Sequence, residues 1–202
     1  MTMVEGSVFS SSAEAEWTQE DPLQPSIASK VLRFHILANS DSSEDQKLKE
    51  EVRDTVGGYV ESLLSEASSL EDSKRIVLDH LDEINEVARG RIAENGYSYP
   101  VSSALETVDF PVKTYGEYTF PAGKYEALEV TIGEGAGHNW WCVLYPQMCF
   151  RGSVYEVVTE DAKQDLKEVL SPEEYEDVWN GGEIKMRFRF WDTIKKWFGV
   201  ES

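Results

Sequence analysis

Lys30-Val31-Leu32-Arg33-Phe34-His35-Ile36-Leu37-Ala38-Asn39-Ser40-Asp41-Ser42-Ser43 is the stretch whose reading decides the fold. Leu32, Phe34, Ile36 and Ala38 fall on one side of an extended chain and Val31, Arg33, His35 and Leu37 on the other, the period of a strand buried on at least one side. Asn39 to Ser43 is turn and cap chemistry. Ser42 followed by Asp45 three residues later predicts a helix starting near residue 43, with Leu48, Val52, Val56 and Leu63 at helical spacing. Gly57-Gly58 interrupts that pattern at about 1 kcal/mol per glycine relative to alanine, so a bend or fraying is expected there. A second cap, Ser69 with Asp72, opens a run of Val77, Leu81, Ile84, Ala88 and Ile92, which Asn95-Gly96 stops. One strand and two helices therefore lead the domain.

From residue 97 the period changes to two, over Tyr99 to Phe110, Tyr115 to Phe120 and Tyr125 to Ile132. Pro111, Gly116, Pro121 and Gly123 mark turns too short for a parallel crossover, so these strands are expected to be antiparallel neighbours. Trp140 to Leu144 reads as either a further short strand or a buried extended segment. Asp161 to Leu170 and Ser171 to Trp179 read as helices, the second opened by Pro172 in its first turn. The order predicts a single α+β domain, a mostly antiparallel sheet with helices packed on one face. Residues 1–29, rich in Ser, Glu and Pro, are expected to be a flexible lead, 30–183 the domain, and 184–202 a basic, aromatic strand and helix.

The 202 residues are 41% hydrophobic and 11% aromatic, a globular composition rather than a disordered one. Lys and Arg number 19 against 38 Asp and Glu, a formal net charge of -19 that repels phosphate and excludes nucleic acid as a partner. The tail departs from this balance: Lys185, Arg187, Arg189, Lys195 and Lys196 stand against Asp192 alone. With Trp191, Trp197 and Phe198 beside them, residues 184–198 are a candidate for weak contact with an anionic membrane, and a tether between two membranes is the furthest extension of that reading. No apolar run is long enough to span a bilayer, and residues 1–29 hold no stretch of signal-peptide type.

Several constellations invite chemistry. Gly133-Glu134-Gly135-Ala136-Gly137-His138-Asn139 resembles a phosphate loop, but no Lys-Ser or Lys-Thr follows and the glycine spacing is not that of a dinucleotide fingerprint, so a loop needing positive φ is the plainer reading. Glu134, His138 and Cys142 recur every fourth residue, yet three glycines in five residues preclude the helix that would gather them around zinc; no metal and no cofactor is expected. A Cys142 thiolate would lack the electropositive setting that nucleophilic catalysis needs. Cys142 and Cys149 enclose a short loop: in an oxidising compartment a disulfide there would be worth roughly 2.5 kcal/mol, in a reducing one they are buried thiols, and on opposite faces of a strand they never meet. His35, beside Arg33, is either a satisfied strand histidine or a polar group near the glycine loop. Asn39 and Asp41 are capping residues first and members of that polar surface second. Trp140 and Trp141 place one indole on each side of an extended segment, one for the core and one to anchor a partner. If Arg33 and His35 lie against Glu134, His138 and Asn139, one cleft holds an acid, a base and donors, enough for a hydrolase acting on a peptide or cell-wall fragment.

Arg33 to Ser42 with Glu44-Asp45-Gln46, Pro121-Ala122-Gly123-Lys124-Tyr125-Glu126-Ala127-Leu128, and Gly133-Glu134-Gly135 through Asn139-Trp140-Trp141-Cys142 to Cys149-Phe150 together resemble the stage II sporulation protein R family, over roughly residues 30–151. The resemblance implies a signalling protein made in the forespore of an endospore-forming bacterium and exported into the space between the two cell membranes. Its implied partner is a membrane-embedded aspartic protease of the mother cell, which it triggers to cleave the sigma-E precursor. It implies no catalytic residues, and the expected export segment is read as absent from this chain. The polar surface with its Trp rim is the candidate receptor contact.

Overall fold

A computed structural model describes residues 22–148, 158 and 160–179. The leading strand and helix form as their spacing predicts: β1 is Leu32–Leu37 and α2 is Ser43–Leu63, with the Ser42 hydroxyl accepting from the Asp45 N–H. Gly57-Gly58 neither ends nor splits α2. A single 3₁₀ turn, Leu64–Glu66, follows, and the second cap holds as read, Ser69 accepting from the Asp72 N–H. The second helical stretch divides at His80 into α3 (Leu70–Asp79) and α4 (Leu81–Glu94). The expected flexible lead gives way before residue 29: Gln24–Ala28 is a short helix, α1, whose Ile27 is fully buried. Apolar burial outweighs the helix-breaking reading of Pro25, which stands in the first turn where its missing N–H costs nothing.

The main sheet has the order β2-β5-β1-β6, with β2 Val101–Phe110, β5 Gly123–Ile132 and β6 Asn139–Tyr145. β2 and β6 are antiparallel to their neighbours, while β1 and β5 run parallel, joined through the intervening helices and β2. The stretch 115–120 is a hairpin of its own, β3 (Lys113–Tyr115) and β4 (Tyr118–Phe120), turning at Gly116 with φ 58°. Strand alternation then builds two cores. Leu32, Phe34, Ile36, Leu128, Val130, Cys142 and Leu144 pack under α2, α3 and α4. The opposite residues, Tyr125, Ala127 and Val143, pack with the β3-β4 hairpin, α1, α5 (Glu160–Val169) and α6 (Pro172–Trp179). The three long helices thus occupy one face as expected of this α+β domain, and the other is covered too, over half its length. Residues 184–198, the expected basic strand and helix, lie outside the described residues.

Candidate functional site

Two assemblies draw on the residues singled out in the sequence. The first joins the turn after β1 to the glycine loop between β5 and β6. Every backbone N–H from 133 to 138 is used internally. Gly133 donates to Pro100 O, Glu134 to Asn39 Oδ1, Gly135 to Ile132 O, Ala136 to Asn39 O, Gly137 to Ala38 O and His138 to Asp41 Oδ1. With no donor left over, the loop has nothing to cradle an anion with. Gly133 and Gly135 take φ of 59° and 61°, the positive angles that the sequence led us to expect. From the other side Asn39 Nδ2 and Ser40 Oγ both donate to Asp45 Oδ2, at 2.8 and 2.5 Å, and Lys49 Nζ donates to His138 O at 2.9 Å. The Ser40 hydroxyl, then Asn39, hold the Asp45 carboxyl below the usual carboxylate range against its own burial. Asp41 is held low as well, first by the His138 N–H and then by its imidazole.

In this clasp Asn39 and Asp41 are structural acceptors, and His138, 79% exposed, is a surface group held by Asp41 with its Nδ1 2.5 Å away. Glu134 is exposed and contributes only its backbone to the bonds described.

The second assembly lies on the sheet face opposite the long helices. Arg33, expected on a polar cleft, is fully buried among aromatic rings, its guanidinium carbon 4.3 Å from the Phe110 centroid, 4.8 Å from Tyr125 and 5.2 Å from Phe120. It donates to Cys142 O at 2.8 Å and to Tyr115 Oη at 2.9 Å, with no carboxylate paired to it among the described residues. Burial lowers its pKa, while ring faces and oxygen acceptors support the charge. Two positions along, His35 stacks on Trp141 with centroids 3.9 Å apart and leans on Phe110 at 5.9 Å. Its Nδ1 lies 3.2 Å from Glu129 Oε2, but neither ring nitrogen meets a partner in hydrogen-bond alignment. Burial pushes the imidazole down to about 4, Asn139 opposing the shift, and burial followed by the Glu106 carboxylate pushes Glu129 up. Both groups are driven toward their neutral forms, so this contact is weaker than its distance suggests.

His35 therefore lies beside Asn139 and Trp141, while Glu134 and His138, the other members of the conditional cleft, sit in the clasp. Trp140 faces the other way, edge-on to Phe34 and under Arg53, so the two indoles do part to opposite sides. Sequence reasoning missed Glu106 and Glu129. The available signal was Glu129 on the side of β5 that carries the apolar Tyr125 and Ala127. Cys142 is buried and disulfide-bonded; the chain's other cysteine, Cys149, lies outside the described residues. Cys142 is thus far from a zinc set with Glu134 and His138, and no group of three His, Cys, Asp or Glu gathers for a metal among the described residues.

Residues 28–155, which hold both assemblies, match the family model of stage II sporulation protein R. The chain belongs to the stage II sporulation protein R family. Stage II sporulation protein R of Bacillus subtilis (strain 168) is 36% identical to it over 168 residues, which cover 82% of this chain and 75% of that protein. No solved structure matches the chain. No helix among the described residues is long and apolar enough to cross a membrane.

Proposed function

We propose that this sporulation protein acts as a messenger: exported from the forespore into the intermembrane space, it binds and activates a membrane-embedded aspartic protease of the mother cell, which then processes the sigma-E precursor. Family membership over residues 28–155 is the observation that carries this reading. The chemistry of the candidate residues supports it, since those quoted for the resemblance serve mainly to hold one loop against another. A hydrolase built on His35, Glu134 and His138 has no support from their placement, with His35 under Trp141 and the other two exposed in the clasp. The test is reconstitution. The oxidised full chain is added on the extracytoplasmic side of vesicles carrying the protease, and precursor cleavage is followed. Cleavage that depends on the chain is expected; none, with the protease shown competent, would contradict the reading.

A further inference from the structure

The sheet face that carries Arg33 is covered at one end and open at the other. Past His35 lie Ser102, Ala104, Glu106 and Asn139, all exposed, and the half-buried Leu37, Glu129 and Thr131. Three observations bear on what would sit there. First, β2 is an edge strand of ten residues with one strand neighbour, and among the described residues no other backbone group bonds to it. Its ten pairs with β5 run without a bulge, and it contains no Pro or Lys, so of the devices that usually blunt an edge it has only the charges of Glu106 and Asp109. Second, Glu106, opposite Ala127, lies diagonal to Glu129 on the adjacent strand, near enough for its charge to act on Glu129. Third, His35 is 3% exposed and neither ring nitrogen makes an aligned hydrogen bond, although Nδ1 lies 3.2 Å from a Glu129 oxygen. A buried polar group left unmet costs about 1–3 kcal/mol. A cation over the two carboxylates would favour their ionised forms and make Glu129 a full acceptor for the His35 N–H. Lys113, 5.9 Å from the Trp141 ring, forms no ion pair with either carboxylate.

We infer that this open half-face and the β2 edge take an extended segment of the partner bearing a lysine or arginine, its backbone continuing the sheet beside β2 and its cation lying over Glu106 and Glu129. The inference rests on the messenger reading, the partner being the extracytoplasmic part of the protease. Hydrogen exchange of the full chain, with and without vesicles carrying the protease, tests it alongside precursor cleavage. The expected result is slowed exchange confined to residues 101–110 and dependent on the protease. Glu106→Lys, at an exposed position, should raise the concentration for half-maximal protection about tenfold while leaving the melting temperature unchanged. Cleavage with unchanged exchange in β2, or with Glu106→Lys as potent as the parent, would overturn the site and leave the messenger reading standing. Protection of β2 in the chain alone would show that another part of the chain covers the edge, and protection by protease-free vesicles that lipid does; either overturns the inference. Absence of both cleavage and binding removes the messenger reading and this site with it.

Discussion

Gly137 adopts an ordinary backbone conformation but has no room beside it: a Cβ there would lie 2.1 Å from Ser40 O and 3.0 Å from the Ala38 Cβ. The obstacle is backbone, which cannot swing aside, so Gly137→Ala is expected to lower stability by about 2 kcal/mol in urea unfolding. Gly58 is the contrast, exposed in the interior of α2 with nothing within 4 Å of an added Cβ. Gly58→Ala should raise stability by about 0.5–1 kcal/mol in the same measurement. Arg33→Ala would leave a cavity and remove the donors to the Cys142 carbonyl and the Tyr115 hydroxyl, an expected loss of about 3 kcal/mol or more. Arg33→Met, close in length and apolar, should lose clearly less, since the rings around it need no charge to pack against. The alternation of residues 31–38 correctly set Arg33 and His35 on the side away from Phe34. It could not show that Arg33 would be sealed in, because the hairpin, α1, α5 and α6 that close over this face come from three separate parts of the sequence.

Elements meet here through a few polar links as well as through apolar faces. Glu174 of α6, 3% exposed, accepts from Ser26 at 2.5 Å, Lys30 at 2.5 Å and the Ser171 N–H at 2.6 Å, tying α6 to the segment that begins the domain. Burial pushes its carboxyl up, but these donors outweigh burial and bring it down to about 2. A carboxyl depressed in the folded state contributes stability that is complete above its ordinary value near 4.5 and lost as pH falls from there to 2. Glu174→Gln should cost about 2 kcal/mol at pH 7 and remove that part of the acid sensitivity, read from denaturant midpoints across the range. Neither partner of this link was legible in the sequence: Ser26 and Glu174 are 148 positions apart. The caps at Ser42 and Ser69 were legible because donor and acceptor sit within one turn. The break at His80 was not, since α3 and α4 share the same apolar period across it.

For the molecule as a whole, the balance of buried charge sets the response to acid. His35 titrates near 4 in the fold and near 6.5 when unfolded, so the unfolded chain binds the extra proton between those values and stability falls as pH drops from 6.5 to 4. Glu129, shifted upward, works in the opposite sense and lessens the slope. His35→Gln should flatten stability against pH in that window, whereas Glu174→Gln should change the slope only below about 4.5. The α+β class, the caps and the family were legible because each depends on short spacing. The open half-face was not, because Glu106, Glu129 and His35 come from three strands whose order is set by a parallel pairing that the short turns between neighbouring strands did not suggest.

A messenger and an enzyme differ most plainly in stoichiometry, so the decisive measurement is a titration of the full chain against a fixed amount of vesicle-borne protease, with the initial rate of precursor cleavage as the readout. A ligand that holds the protease active should give a rate that rises with occupancy and levels off once the protease sites are filled. A maximal rate reached with the chain at about a hundredth of the protease would mean that each copy acts many times, and would contradict a role based on binding.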